Sequence, residues 1–350
     1  MDQEYTQRLN KIETELERWL PRELSGESLA EWAEKVFADD GKNVNIDSVL
    51  FLLEPLRELL YRGGKRWRPL LMTIVCEALG GGDTAVPLSP VIEFSHNASL
   101  IHDDIEDESD ERRGKPAVHK IYGVDTAVNS GSFFYFLASR CIEACENSAG
   151  KLKDKGQIYR LWAECIRKLH LGQAMDINWH RNISVIPRID DYFTMCKLKT
   201  GSLAHLASEL GAYAAGVPQE TMNKLGNAAD MLGIGFQILD DVKNLTTGNP
   251  GKKHGDDIVE GKKSLPVLLY MQKYPEKTDR VFYCFHVAKR EGRNAPEAEE
   301  LIESLGKSGV IKEAEEKGLS LFKEAQSVFG SLEYKNHTLL DGFFKLIGAC

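Results

Sequence analysis

Apolar residues recur at three- and four-residue spacing along almost all of this 350-residue chain, and two-residue alternation is nearly absent, which restricts it to packed helices. Val91, Phe94, Ala98, Ile101 and Ile105 form one core-facing stripe, with Ser89-Pro90 ahead of them reading as N-cap and first helical residue. Met222, Leu225, Ala229, Leu232, Phe236 and Leu239 form a second, stopped by the Thr246-Thr247-Gly248-Asn249-Pro250-Gly251 cluster. Between them, 125–146, 156–180 and 190–215 also read as helices, broken by Asn147-Ser148-Ala149-Gly150 and around Pro187. After 264 the helices shorten, and 275–297, with Pro275, Gly292 and Pro296, reads as loop-rich. No linker, repeat or low-complexity tract divides the chain, so the expectation is a single all-α domain over residues 1–350.

With 42% hydrophobic residues the chain can bury a sizeable core. Its net charge of -9 argues against nucleic acid or an anionic membrane as partner, so any anionic ligand requires a local concentration of cations. No apolar run reaches the length of about 18 residues needed to span a bilayer. The opening MDQEYTQRLNKIETELERWL is too charged for a signal or transit peptide, which predicts a cytoplasmic protein. Seven cysteines without a CxxC pair read as scattered reduced thiols.

The chemistry begins with two acidic clusters, His102-Asp103-Asp104-Ile105-Glu106-Asp107 and Leu239-Asp240-Asp241-Val242-Lys243-Asn244. Asp103 with Asp107, and Asp240 with Asn244, share a helix face at four-residue spacing. Negative charge crowded near a helix C-terminus is disfavoured by repulsion and by the macrodipole, so a cation should offset it. Hard oxygen ligands projecting from two helices suit Mg²⁺, which keeps waters and is commonly shared with substrate phosphates. A solvated acidic face is the alternative for either cluster alone.

Basic groups accompany them. Tyr61-Arg62-Gly63-Gly64-Lys65-Arg66-Trp67-Arg68-Pro69 places four cations around two glycines at a loop-to-helix start, where backbone N–H groups also favour an anion. Arg112-Arg113-Gly114 follows the first acidic cluster, and guanidinium forks match phosphate oxygens. Lys199-Thr200 precedes Gly201, which permits a kink, and Lys252 and Lys262 flank Gly255-Asp256-Asp257. The inventory suffices for metal and two diphosphates.

From Gly63 to Pro266 the chain resembles the trans-isoprenyl diphosphate synthases, the head-to-tail prenyltransferases. Gly63-Gly64-Lys65-Arg66-Trp67-Arg68-Pro69 is similar to the family's GGKRxRP, and Asp103 to Asp107 to its first aspartate-rich motif. Gly172-Gln173, Lys199-Thr200-Gly201, Phe236 to Asp241 and Gly261 to Pro266 resemble further elements in the family's order. The resemblance implies the isoprenoid synthase type I fold, a large helical bundle around a central cavity, acting as a homodimer on isopentenyl diphosphate and an allylic diphosphate. It implies that Asp103, Asp107 and Asp240 hold Mg²⁺, supported by Asp104 and Asp241. It assigns the allylic diphosphate to Arg112, Lys199, Lys252 and Lys262, and isopentenyl diphosphate to Lys65, Arg68, His96 and Arg113. Gln237 and Thr200 would line the reacting region.

In this family bulky side chains one or two turns before the first aspartate motif stop growth, and here Ala98 and Ser99 are small. Phe133, Phe134, Tyr135 or Phe136 would block at greater depth, with core packing as the alternative reading. The stretch from His96 to Gly114 most resembles geranylgeranyl diphosphate synthases of eukaryotic type, implying a C20 product, with C25 or longer next. Asn244 replaces an acid of the second motif but keeps an oxygen ligand, and Ser132 stands where many bacterial members carry Asp. A class I terpene cyclase or head-to-head synthase, and a non-catalytic regulatory subunit, remain as alternatives.

Overall fold

The computed structural model describes residues 3–23, 26–145, 152, 154–248, 254–332 and 337–348. The helix-stopping residues 147–150 and 249–251, together with Lys252 and Cys350, lie outside the described residues. The chain is all-α: α1 (Gln3–Trp19), α2 (Gly26–Phe37), α3 (Ile46–Leu60), α4 (Trp67–Ala78), α5 (Ser89–Glu106), α6 (Val118–Tyr122), α7 (Val124–Glu143) and α8 (Lys155–Arg181). Then follow α9 (Ile189–Cys196), α10 (Ser202–Ala215), α11 (Gln219–Asn244), α12 (Asp256–Glu260), α13 (Leu265–Lys273), α14 (Thr278–Glu291), α15 (Pro296–Ser308), α16 (Val310–Gly330) and α17 (His337–Gly348). Among the described residues the strands are β1 (Glu111–Arg112) and β2 (Lys115–Pro116), an antiparallel pair turning through Arg113 and Gly114, both at positive φ.

Contacts divide the chain into two compact units, neither continuous in sequence. One takes Met1–Ala163, Leu206–Asn223 and Glu333–Cys350, the other Glu164–His205 and Lys224–Leu332. In the first, α5 packs along α7, closely enough that a Cβ on Gly131 would lie 3.0 Å from the His102 ring. Trp162 donates its indole N–H to Ser95 at 3.0 Å, satisfying the one polar atom of a buried ring. The core of the second unit gathers Tyr192, Ile238, Leu265, Phe285 and Leu305, all buried.

Both predicted stripes lie inside. Val91, Phe94, Ala98 and Ile101 are fully buried on α5, as are Leu225, Ala229 and Leu232 on α11. Three details differ from expectation. Ser89 is the first residue of α5 rather than its cap, which is Leu88, so the Pro90 signal was displaced by one position. The segment 190–215 is two α-helices joined by a π turn, Lys197–Gly201. The loop-rich reading of 275–297 fails, because α14 occupies most of it and buries Val281, Cys284, Phe285 and Ala288 on one face. Gly292 and Pro296 are its stop and the start of α15, punctuation between helices rather than loop. Six cysteines are buried free thiols.

Candidate active site

In the first unit the basic segment is a left-handed loop. Gly63, Gly64 and Arg66 have φ of 91°, 151° and 49°, and α4 begins directly after them. A Cβ on Gly64 would come within 3.2 Å of the Arg113 guanidinium, so glycine keeps two cations close to the backbone. The four cations have different fates. Arg66 turns inward, donating at 2.8 Å to Glu93 and to Glu13 and at 2.7 Å to the Leu60 carbonyl. Arg62 donates to Glu58 and to the Arg112 carbonyl. Lys65 is exposed, and Arg68 lies over the Trp67 ring with Nη1 3.4 Å from His96 Nε2.

Arg113 donates to the Leu59 carbonyl and to Asn97, which is itself held by Glu93. Arg68, His96 and Arg113 thus lie close together, while Lys65 projects at the surface. Burial, then the charges of Arg68 and Arg113, hold His96 well below its ordinary value, so it is neutral near pH 7. A neutral imidazole ringed by guanidinium groups is a site that gains by admitting an anion. The depressed value makes the associated stability present above the unfolded value of about 6.5 and lost as pH falls below it. His96→Gln should therefore lose less stability than the parent between pH 7 and 5 in urea titrations. Parallel curves would reject this.

Asp103 and Asp107 lie on one face at the end of α5, where the Asp107 N–H caps the Asp103 carbonyl. Asp104 is fully buried and accepts from Arg112 Nε at 2.8 Å and from Nη2, which also lies 3.5 Å from Asp103. Asp104 therefore fastens the β1–β2 turn to α5 and presents Arg112 beside the metal-type carboxylates. Burial lifts Asp104 to about 6 although Arg112 opposes it. Its other oxygen is buried without a hydrogen-bond partner among the described residues.

The chain-length candidates lie on α5 and α7. Ala98 is fully buried, and Ser99 donates to the His96 carbonyl at 2.8 Å. Phe134 packs on Phe94 with centroids 4.8 Å apart, and Phe133 stacks on Phe37 at 5.6 Å, both contacts of a packed core. Ser132 Oγ lies 3.4 Å from His102 Nε2.

In the second unit, Lys199 and Thr200 sit on the π turn. Lys199 donates to Asp176 at 2.6 Å, a carboxylate the sequence reading missed although it stands one helical turn after Gly172-Gln173. Burial opposes ionisation of Asp176, yet Lys199 and Lys262 hold it at about 2, so it stays charged. Lys262 also pairs with Glu260 at 2.9 Å.

Thr200 donates to Gln237 at 2.7 Å, Gln237 to Asp241 at 2.9 Å, and the Tyr192 hydroxyl to the second Asp241 oxygen at 2.7 Å. Burial and the nearby Asp257 charge raise Asp241 to about 7 against those hydrogen bonds. Asp240, one residue earlier, is only half-buried. Asn244 is buried, and its Oδ1 accepts the Asp257 backbone N–H at 3.1 Å. The oxygen expected to serve as a ligand is thus engaged in holding the start of α12.

Among the described residues no three His, Cys, Asp or Glu side chains group closely enough to hold a metal alone. The donor set nonetheless fits Mg²⁺, which takes one or two carboxylates and completes its octahedron with water and phosphate oxygens.

A family model described as Polyprenyl synthetase matches residues 50–304. The chain is 31% identical over 299 residues to a geranylgeranyl pyrophosphate synthase of Neocamarosporium betae, covering 82% of each chain. It is 35% identical over 221 residues to a geranylfarnesyl diphosphate synthase of Aeropyrum pernix, covering 61% of this chain and 69% of that one. Among solved structures, geranylgeranyl pyrophosphate synthetase from Pyrococcus horikoshii Ot3 superposes with a TM-score of 0.76 at 27% identity, covering 96% of this chain and 97% of that one. Helices that present two aspartate-rich turns and a guanidinium cradle, in a chain matched across most of its length, make this protein a member of the polyprenyl synthetase family.

Proposed function

We propose that this enzyme is a Mg²⁺-dependent trans-prenyltransferase that condenses isopentenyl diphosphate with an allylic diphosphate, ending mainly at geranylgeranyl diphosphate. The observation that carries it is the cradle in which Arg68 lies 3.4 Å from His96 and Arg113 is held by Asn97 and the Leu59 carbonyl, built from residues other than the carboxylates of Asp103 and Asp107. A terpene cyclase or head-to-head synthase has no need of such a cradle, and a regulatory subunit usually lacks one of the two aspartate motifs, both of which are present here.

In this reading Asp103 and Asp107 at the end of α5, and Asp240 near the end of α11, are the carboxylates that would hold Mg²⁺. Mg²⁺, when bound, would supply charge to neutralise the departing diphosphate. Arg112, Lys199 and Lys262, with Lys252, hold the allylic diphosphate, and Asp104 and Asp176 set the aim of Arg112 and Lys199. Electrostatic stabilisation of the leaving group lets the allylic C–O bond ionise. The Thr200 and Gln237 oxygens line the path of the carbocation. Lys65, Arg68, His96 and Arg113 hold isopentenyl diphosphate with its double bond toward that cation. Carbon–carbon bond formation followed by proton loss lengthens the chain by five carbons.

The C20 assignment is supported by small Ala98 and Ser99, and the names of the relatives keep C25 as the runner-up. Chromatography of products made from farnesyl diphosphate should give C20, and Ser99→Phe should shift the distribution to shorter chains. A C15 stop in the parent, or no response in the variant, rejects the length assignment. Failure to consume isopentenyl diphosphate with Mg²⁺ rejects the reaction itself.

Among the described residues no helix is long and apolar enough to cross a membrane, in keeping with a cytoplasmic enzyme. Exposed apolar side chains, among them Val124, Val128 and Phe136 on α7 and Phe51 on α3, support a homodimer. Sedimentation should give twice the chain mass, and Phe136→Glu should reduce it to one.

A further inference from the structure

The π turn Lys197–Gly201 puts an extra residue into the helix just where Lys199 and Thr200 must be aimed. Such a bulge has poorer geometry than an α turn and persists only if its surroundings favour it. In an uninterrupted α-helix, Lys197 and His205 would point about 80° apart, since eight residues at about 100° each overshoot two turns. One residue absorbed by a π turn removes about 100° and brings the pair to within about 20° of each other. Both then reach one carboxylate, with Lys197 Nζ 3.2 Å and His205 Nδ1 3.1 Å from Asp230 Oδ2. Asp230 itself is 5% exposed, and cations at these distances offset the cost of burying a carboxylate there.

Asp230 belongs to a stripe on α11 shaped for this segment. A Cβ on Gly226 would lie 2.6 Å from the His205 ring, and one on Gly233 would lie 2.5 Å from Gly201 Cα. Gln237, next along the stripe, takes the Thr200 hydroxyl. Residues 226, 230, 233 and 237 share one helix face, and each meets a different point of the π segment or its flank. The glycines permit the approach of any backbone at those places. Asp230 gains from the π register through two partners at once, because that register presents Lys197 and His205 together, and the Thr200 hydrogen bond to Gln237 favours it further.

We infer that Asp230 is a positioning residue, which selects the π register and thereby sets the aim of Lys199 and Thr200. This rests on the proposed role of those two residues at the allylic diphosphate. In the alternative α register the segments before and after the turn would be rotated about 100° relative to one another. A misplacement of about 1 Å at a reacting group can cost about 100-fold in rate.

The test compares the full-length parent with Asp230→Asn, and with Asp230→Ala in case the amide still ties His205. Steady-state kinetics in both substrates and hydrogen exchange across 197–205 are the readouts. Expected are a loss of about 10- to 100-fold in kcat/KM for the allylic diphosphate, an unchanged KM for isopentenyl diphosphate, and faster exchange confined to 197–205. Unchanged kinetics in folded Asp230→Ala overturns the inference. So does an equal rise in both KM values with faster exchange throughout the second unit, the signature of general loosening. If the parent does not consume isopentenyl diphosphate, the functional reading fails, and the exchange pattern alone then decides whether Asp230 holds the turn.

Discussion

Asp240→Ala should lower turnover by about 1,000-fold while leaving far-ultraviolet dichroism unchanged. The magnitude follows from Lewis-acid stabilisation of the leaving group, worth several kcal/mol, at about 1.4 kcal/mol per factor of ten. The stability response is the more diagnostic half. Asp240 lies in the last turns of α11, followed at once by Asp241, where negative charge opposes both its neighbour and the helix dipole. Relief of that repulsion should return up to about 1 kcal/mol, set against whatever Asp240's own contacts contribute. Residues kept at a cost to stability are what a metal-binding role requires, whereas a structural carboxylate would behave in the opposite way. Asp103→Ala should show the same loss of turnover in labelled isopentenyl diphosphate incorporation. A variant of either with near-normal activity would refute the metal assignment.

Arg66→Met should destabilise the protein by about 3–5 kcal/mol, the cost of leaving a buried carboxylate without its counter-charge. The Arg66 and Glu93 side chains are 2% and 3% exposed and 2.8 Å apart, so water cannot replace the lost partner. Through Glu93 the effect extends to Asn97 and Arg113, because Asn97 donates to Glu93 and accepts from Arg113. Urea denaturation would measure the loss, and adding Glu93→Met should recover much of it, since an apolar pair of similar volume avoids the desolvation cost. The neighbouring Lys65→Met should leave stability within about 0.5 kcal/mol of the parent, as surface substitutions do, and raise KM for isopentenyl diphosphate. An Arg66→Met protein as stable as Lys65→Met would show that the buried network is not what holds the cradle.

Those adjacent residues mark where one-dimensional reading stops. Lys65 and Arg66 look equivalent in Gly63-Gly64-Lys65-Arg66, yet a left-handed Arg66 sends its guanidinium to Glu93 and Glu13, residues 27 and 53 positions away. No local pattern encodes such partners. Asp176 was passed over for the same reason, its meaning residing in Lys199 on another helix. Asn244 keeps an oxygen in the second motif, and the N–H that this oxygen accepts comes from Asp257, 13 positions further on.

By itself the sequence determined the all-α architecture, the two buried stripes, the placement of both aspartate clusters at helix C-termini and the positive-φ glycine loop. These depend on periodicity, capping and backbone sterics, which act over a few residues. Only the tertiary structure decided which cations remain near the surface, which carboxylates aim them, and that a π turn stands between α9 and α10 at Lys197–Gly201. Those choices follow from burial and from partners distant in the chain, and their energies exist only once the helices have packed.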